Sequence, residues 1–391
     1  MPKNKIISYG KQWIFEEDFS SIEEVLKSPF LTTGPKASEF EKSLCELTGA
    51  KHAIVCANGT AALHLACMAL GISKGDLGLT TPNTFLSSAN CIEFCGGDVD
   101  FIDIDPESLC LSPELLDEYC QANKLPKVVI PVDFAGVPAN LPAIKKLSEK
   151  YGFKIIEDAA HSIGSTYQHA GIEYQCGSCA HSDMAIFSFH PVKTITTGEG
   201  GAVLTNDDEL AKKVRSFCSH GMVRNLQLNG EKEGPWYYEM DEMGYNYRLT
   251  DFQCALGNAQ LKRLGDFKKR RIEISNKYTE VFNKTESIIT PFFPKNTSVC
   301  SHLYVIQFAE GPQKRLEVYK ALSENNIFCQ IHYIPVYWQP YYKNKYGYEK
   351  GKCINAENYY QRCLSIPLYP AMTNNDLEFV IEEIIKATNS Q

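Results

Sequence analysis

From about residue 36 onward the chain alternates between two hydrophobic periods, and that alternation restricts the fold more than any other feature. Short apolar runs at 52–56, 99–104, 127–131 and 154–157 read as strands. Stretches at 37–48, 60–70, 85–95, 113–123, 141–151 and 208–218 read as helices. Strands that alternate with helices predict an α/β fold, a mostly parallel sheet with helices on both faces. In such sheets a ligand lies at the carboxyl ends of the strands, where the loops gather.

The flanks read differently. Residues 1–35 form an arm with a short helix at 15–27. Residues 250–285 predict a long helix with a break near Leu264-Gly265. After the linker Pro291-Phe292-Phe293-Pro294 come a strand at 303–308, a helix at 314–325, a strand at 327–332, a Tyr-rich loop at 333–348, and helices near 356–363 and 375–388. The expected division is an arm (1–35), a large domain (36–260), and a long connecting helix with a small C-terminal α+β domain (261–391).

A formal charge of −8 and a pI near 5.7 predict no nucleic-acid surface. The one basic run, Lys268-Lys269-Arg270-Arg271, sits in a helical pattern and reads as a solvated face. No apolar run approaches the ~18 residues of a membrane span, and Met1-Pro2-Lys3-Asn4-Lys5 does not open a signal peptide. Fifteen cysteines without a repeating spacing predict reduced thiols and a cytoplasmic protein. The spacing of Cys176, Cys179 and His181 suits zinc, but no matching Cys/His pair completes a site, so no metal is expected.

Four segments carry chemistry. Lys193 follows the strand-like run 184–189 and precedes the glycines Gly198, Gly200 and Gly201 and a second apolar run at 202–204. A lysine at such a hinge can be held partly desolvated in a cleft, which lowers its pKa and frees the amine for Schiff-base chemistry. A surface lysine in a Gly-rich turn is the alternative. After strand 52–56, Gly59 and Thr60 open a helix whose free amides favour a phosphate; an ordinary N-capped turn would look the same. Phe85, behind Thr80-Thr81-Pro82, suits stacking on a planar ring or burial in the core. Asp158 ends strand 154–157 in an apolar setting, with His161 three residues on; it would pair with a protonated ring nitrogen or cap a turn. A lysine, a carboxylate, an anion cup and a ring platform at strand ends are together the parts that pyridoxal 5'-phosphate requires.

The motifs Asn58-Gly59-Thr60-Ala61-Ala62-Leu63, Glu157-Asp158-Ala159-Ala160-His161, Ser188-Phe189-His190-Pro191-Val192-Lys193, Gly198-Glu199-Gly200-Gly201 and Gly244-Tyr245-Asn246-Tyr247-Arg248 carry a resemblance to a known family. Over nearly its whole length the chain resembles the DegT/DnrJ/EryC1/StrS sugar aminotransferases, of the aspartate-aminotransferase-like fold type I. The stretches 188–201, Ser219-His220-Gly221-Met222 and His332-Tyr333-Ile334-Pro335 are most similar to the branch that works in pseudaminic acid synthesis.

The resemblance implies roles. Lys193 would hold the cofactor as a Schiff base and Asp158 would pair with its ring nitrogen. Phe85 would face the ring, and His161 would lie near the phenolic oxygen. Gly59, Thr60, Ala61 and Ser188 would bind phosphate. Asn246 would reach the phosphate from a partner subunit, giving a homodimer with shared sites, although Gly244-Tyr245-Asn246 is turn-prone and Asn246 could cap a turn in its own subunit. His332 and Tyr333 would approach substrate. Arg224 and Arg248 are candidates for the diphosphate of a nucleotide sugar, with structural salt bridges as the alternative. The implied reaction moves an amino group from L-glutamate to C4 of a UDP-linked 4-keto-6-deoxy-N-acetylhexose. Another keto sugar epimer or a 3-keto sugar is the alternative. Lys193 speaks against relatives that carry histidine there and act as dehydratases. A cofactor-binding regulator would need a DNA-binding extension that the sequence before residue 36 does not supply.

Overall fold

The computed structural model describes residues 5–223 and 234–389. Its centre is a seven-stranded sheet built from β1 (His52–Cys56), β2 (Leu77–Thr80), β3 (Asp98–Phe101), β4 (Val128–Ile130), β5 (Lys154–Asp158), β6 (Met184–Ser188) and β7 (Gly201–Thr205). The spatial order is β1-β7-β6-β5-β4-β2-β3. Every neighbouring pair is parallel except the two made by β7, which runs antiparallel to β6 and to β1. Six strands therefore point the same way, and the expected α/β architecture is what forms.

Across β1, β6 and β7, strand alternation puts each face of the sheet in its own core. Ile54, Cys56, Met184, Ile186 and Val203 pack into one cluster with the helix Gly59–Ala69. Their neighbours Ala53, Val55, Ala185, Phe187 and Leu204 pack into another with Phe40 and Leu44 of the helix Pro35–Thr48. The period of two along each strand thus buries both faces, one under each helical layer.

The predicted long helix is broken where expected: Asp251–Lys262 ends at Arg263, and Leu264–Phe282 begins beyond it. Beyond it, Tyr304–Phe308 lies between Ile288–Ile289 and Cys363–Ile366 in an antiparallel sheet. Its core joins Ile306, Phe308 and Leu364 to Val380 and Ile384 of the last helix, Asn374–Asn389. The arm is stitched to this unit: Ile7–Ser8 pairs in parallel with Ile327–Phe328, and Lys5 Nζ meets Asp376 at 2.5 Å.

One expectation needs correction. The run Lys268-Lys269-Arg270-Arg271 is not wholly a solvated face, because Arg271 is completely buried. Its Nη1 donates to the carbonyls of Ser301, His302 and Leu368, each at 3.2 Å. Burial lowers its pKa to about 10, so it remains a cation.

Candidate active site

The parallel arrangement brings the ends of β1, β2, β5 and β6 to one edge, and the loops after them line a cavity of about 690 Å³. Gly59, Thr60, Phe85, Asp158, His161, Ser188, Lys193, His332 and Tyr333, nine of the residues singled out by sequence, meet on its wall.

Lys193 sits in the turn after β6, its amide bonded to the His190 carbonyl at 2.8 Å. Desolvation lowers its amine to about 8, partly offset by the nearby charge of Asp158. Asp158 is buried at the end of β5. Its Oδ2 accepts the Ser88 hydroxyl at 2.7 Å and its Oδ1 the Ala160 amide at 3.2 Å. Burial raises its carboxyl, while Ser88, Ala160 and Lys193 pull it down. A buried carboxylate whose hydrogen-bond donors are both neutral favours a further cation at the cavity.

Three histidines crowd the same wall. His161 is buried, accepts the Ala135 amide on Nδ1 at 3.3 Å, and meets the Tyr333 hydroxyl through Nε2 at 3.3 Å. An accepting Nδ1 leaves the proton on Nε2, so Nε2–H donates to the Tyr333 oxygen. His302 lies against His161 with ring centroids 4.5 Å apart, and His332 bonds Ser365 Oγ at 2.7 Å. Burial, then the Lys193 charge, pushes His161 well below its ordinary range and His332 to about 3. His302 falls well below as well, through burial and then its neighbours His161 and Lys193. The imidazoles are neutral, so Lys193 is the group of this wall poised to carry or lose a proton near neutrality.

The helix Gly59–Ala69 aims its N-terminus at the cavity. Asn58 Oδ1 caps it by accepting the Ala61 amide at 2.8 Å. Ala61 is buried and gives its amide to this cap. The amides of Gly59 and Thr60 keep no partner within the helix. A Cβ on Gly59 would stand 2.9 Å from Ser188 Cβ, so glycine is what lets the helix end approach β6. Thr60 Oγ1 shares a hydrogen bond with Ser87 Oγ at 2.7 Å. Phe85 is 58% exposed, an aromatic face left open at the cavity and 6.4 Å from the Tyr333 ring. The donor set and this open ring fit a planar, phosphorylated, carbonyl-bearing cofactor.

Two predicted residues lie elsewhere. Asn246 is exposed and bridges Ser219, and Arg248 donates to Ser219 Oγ at 3.0 Å; neither reaches the cavity of its own chain. Arg224 falls outside the described residues. Cys176, Cys179 and His181 do not converge: Cys179 contacts the Gly177 carbonyl and His181 the Tyr167 hydroxyl. All fifteen cysteines are free thiols.

Residues 12–385 match the DegT/DnrJ/EryC1/StrS aminotransferase family. The chain belongs to that family. It is an aminotransferase. It is 40% identical to the spore coat polysaccharide biosynthesis protein SpsC of Bacillus subtilis, over 98% of this chain and 97% of SpsC. To the UDP-4-amino-4,6-dideoxy-N-acetyl-beta-L-altrosamine transaminase of Campylobacter jejuni serotype O:2 it is 37% identical, over 96% of each chain. The solved structure of Helicobacter pylori PseC, an aminotransferase involved in the biosynthesis of pseudoaminic acid, superposes with a TM-score of 0.90 at 29% identity, covering 99% of this chain and 100% of that one.

Among the cavity residues that sequence reasoning missed are Ser88, His302 and Tyr9. Ser88 lies three residues after Phe85, in the first turn of the helix Ser87–Phe94. His302 precedes the strand Tyr304–Phe308, and Tyr9 sits just after the arm's strand. Neither carries a local signal.

Proposed function

We propose that this aminotransferase uses pyridoxal 5'-phosphate to move an amino group from L-glutamate to C4 of a UDP-linked 4-keto-6-deoxy-N-acetylhexose, giving UDP-4-amino-4,6-dideoxy-N-acetyl-beta-L-altrosamine. The observation that carries the reading is Lys193, its amine lowered to about 8, on one cavity wall with the buried Asp158. When bound, pyridoxal phosphate supplies an electron sink for breaking the Cα–H bond of the amino donor. Lys193 Nζ would be its attachment point and, once released, the base that takes and returns the donor proton. Asp158 would hold a protonated ring nitrogen, the cation that its buried carboxylate favours. Phe85 would cover one face of the ring. The Gly59 and Thr60 amides with Ser188 would hold the phosphate at a helix N-terminus. His161 would lie by the phenolic oxygen. His332 and Tyr333 would border the sugar.

The same reading makes the working unit a homodimer in which Asn246 of each chain reaches the partner's phosphate site. The exposure of Asn246 supports this, since its own cavity does not use it. Arg248, two residues on, would then approach the substrate diphosphate. The arm, large-domain and C-terminal division at 35 and 260 belongs to this reading too, supported by the separate apolar cluster of the C-terminal unit.

The likeness to SpsC, named for spore coat polysaccharide, favours the alternative of a different nucleotide sugar. Incubation with L-glutamate and a panel of 4-keto and 3-keto nucleotide sugars separates the two. Amination of the UDP-linked 4-keto-6-deoxy-N-acetylhexose of the L-altro series ahead of its epimers supports the proposal. Preference for a 3-keto sugar or for another epimer overturns it.

A further inference from the structure

Beside the site lies a pair of buried acids. Asp133 is fully buried and Glu157 almost so. One carboxylate oxygen of each, together with Cys176 Sγ, lies within 4.8 Å of the others. Two carboxylates this close in a dry interior do not both ionise. Hydrogen bonds decide which keeps the charge. Asp133 Oδ1 accepts the Ala139 amide at 2.8 Å, and Oδ2 accepts the Ser162 hydroxyl at 2.5 Å. Glu157 Oε1 accepts the Gly177 amide at 2.9 Å, but Oε2 has only a long contact of 3.5 Å from Ser182. The closer donors favour a charged Asp133 and leave the proton on Glu157. Burial raises both carboxyls in that order, Asp133 to about 6 and Glu157 well above its ordinary range. The other titratable groups facing the pair are Cys110, Cys176, Cys179 and Tyr167, all kept neutral by burial.

The turn that begins at Asp133 reaches the site in three places. The Asp133 amide donates to the Asp158 carbonyl at 3.1 Å. The Ala135 amide donates to His161 Nδ1 at 3.3 Å, and the Ala135 carbonyl accepts the His302 amide at 2.9 Å. Ala135 adopts a φ of 57°, left-handed for a residue with a Cβ. Gly136 follows at a φ of 100°, where a Cβ would stand 2.5 Å from the Cys300 carbonyl oxygen. A turn of this shape needs an anchor, and the Asp133 carboxylate is placed to be it.

We propose that Asp133, ionised because Glu157 holds the one proton the two share, is a positioning residue that locks the 133–136 turn and through the Ala135 amide fixes the His161 ring and its tautomer. His161 Nε2–H then stays directed at the Tyr333 oxygen, which frees the Tyr333 hydroxyl hydrogen for the cavity. Only the effect on rate rests on the proposed role of His161 at the cofactor; the placement of the proton does not.

Infrared spectra of the full-length protein at neutral pH should contain the C=O stretch of a buried protonated carboxyl, and Glu157→Gln should remove it. Nitrogen NMR of isotope-labelled histidine should find His161 protonated on Nε2 in wild type and in Glu157→Gln, and should find that state lost in Asp133→Asn. Glu157→Gln keeps a neutral side chain and should keep kcat and KM close to wild type. Asp133→Asn should retain cofactor and lower kcat on the order of 10²-fold, the effect of a misplaced group, with KM for the donor little changed. No protonated carboxyl in wild type, a kcat as low in Glu157→Gln as in Asp133→Asn, or an unaltered His161 tautomer in Asp133→Asn would each overturn the proposal. Should Asp133→Asn not fold, Ser162→Ala removes one donor from the same carboxylate and carries the same tautomer measurement.

Discussion

Ser88 donates its hydroxyl proton to Asp158 Oδ2 at 2.7 Å, from the first turn of the helix Ser87–Phe94. The bond ties the loop that carries the exposed Phe85 to the strand end that carries the carboxylate. Ser88→Ala leaves one oxygen of a buried carboxylate without a donor, a loss of roughly 1.5–3 kcal/mol for a bond to a charged group. Both half-reactions should slow correspondingly, about tenfold to a hundredfold. Asp158→Asn, which removes the charge itself, should slow them by on the order of 10³-fold. Cofactor content should hold in both, because the proposed phosphate contacts lie elsewhere. Single-turnover absorbance with glutamate measures all of this, and an unchanged rate in Ser88→Ala would show the bond to be dispensable.

The amine of Lys193 gives a stability test with a definite sign. Its folded value, about 8, lies below the ordinary 10.5. Between those pH values the unfolded chain binds more protons than the folded one, so stability rises with pH across this window. Below it the cost of burying the ammonium is fully present. Lys193→Met removes that cost. Cofactor-free Lys193→Met should melt above cofactor-free wild type at pH 7, and the gap should narrow as pH climbs from 8 toward 10.5. A gap independent of pH would mean that the amine is not desolvated in the folded chain.

Gly59→Ala puts a methyl group 2.9 Å from Ser188 Cβ, at the helix end proposed to hold phosphate. The helix must draw back from β6, and the Gly59 and Thr60 amides move with it. We expect weaker binding of pyridoxal phosphate by about 1–3 kcal/mol, the range for a small overpacking strain, read by fluorescence titration of the cofactor-free variant. Equal cofactor affinity in wild type and Gly59→Ala would place the phosphate elsewhere.

Subunit mixing decides whether Asn246 crosses to a partner. Lys193→Ala and a folded but inactive Asn246 variant are combined under conditions that allow exchange. With shared sites, one site of the mixed dimer collects both defects and the other collects neither, so roughly a quarter of wild-type activity returns at statistical mixing. No recovery despite demonstrated exchange would place Asn246 in the service of its own subunit.

What the sequence conveyed follows from how far each signal reaches. β1 and β4 announce themselves because both faces are buried and their apolar runs are unbroken, and β5 through the pair Ile155-Ile156 ahead of its acids. β2 escapes, being four residues long with Gly78 where a Cβ would stand 2.5 Å from Ile92 Cδ1. The hairpin of Thr166–His169 and Ile172–Gln175 escapes because much of it faces solvent and its polar residues hide the period. In the site, Lys193, Asp158 and Gly59 sit in local motifs at strand ends and are legible one by one. Tyr9 and His302 reach the cavity only through partners distant in the chain, the strand at Ile327 and the carbonyl of Ala135.

The seam between Ile7–Ser8 and Ile327–Phe328 sets an order of events for a chain made from its N-terminus. Tyr9 is made long before the strand that seats it, which arrives only after residue 326 has been added. A nascent chain can already fold Asp158 and Lys193 onto the sheet while one wall of their cavity is still missing. Competence therefore arrives late, because the wall from Gln330 to Gln339 is made only after that strand.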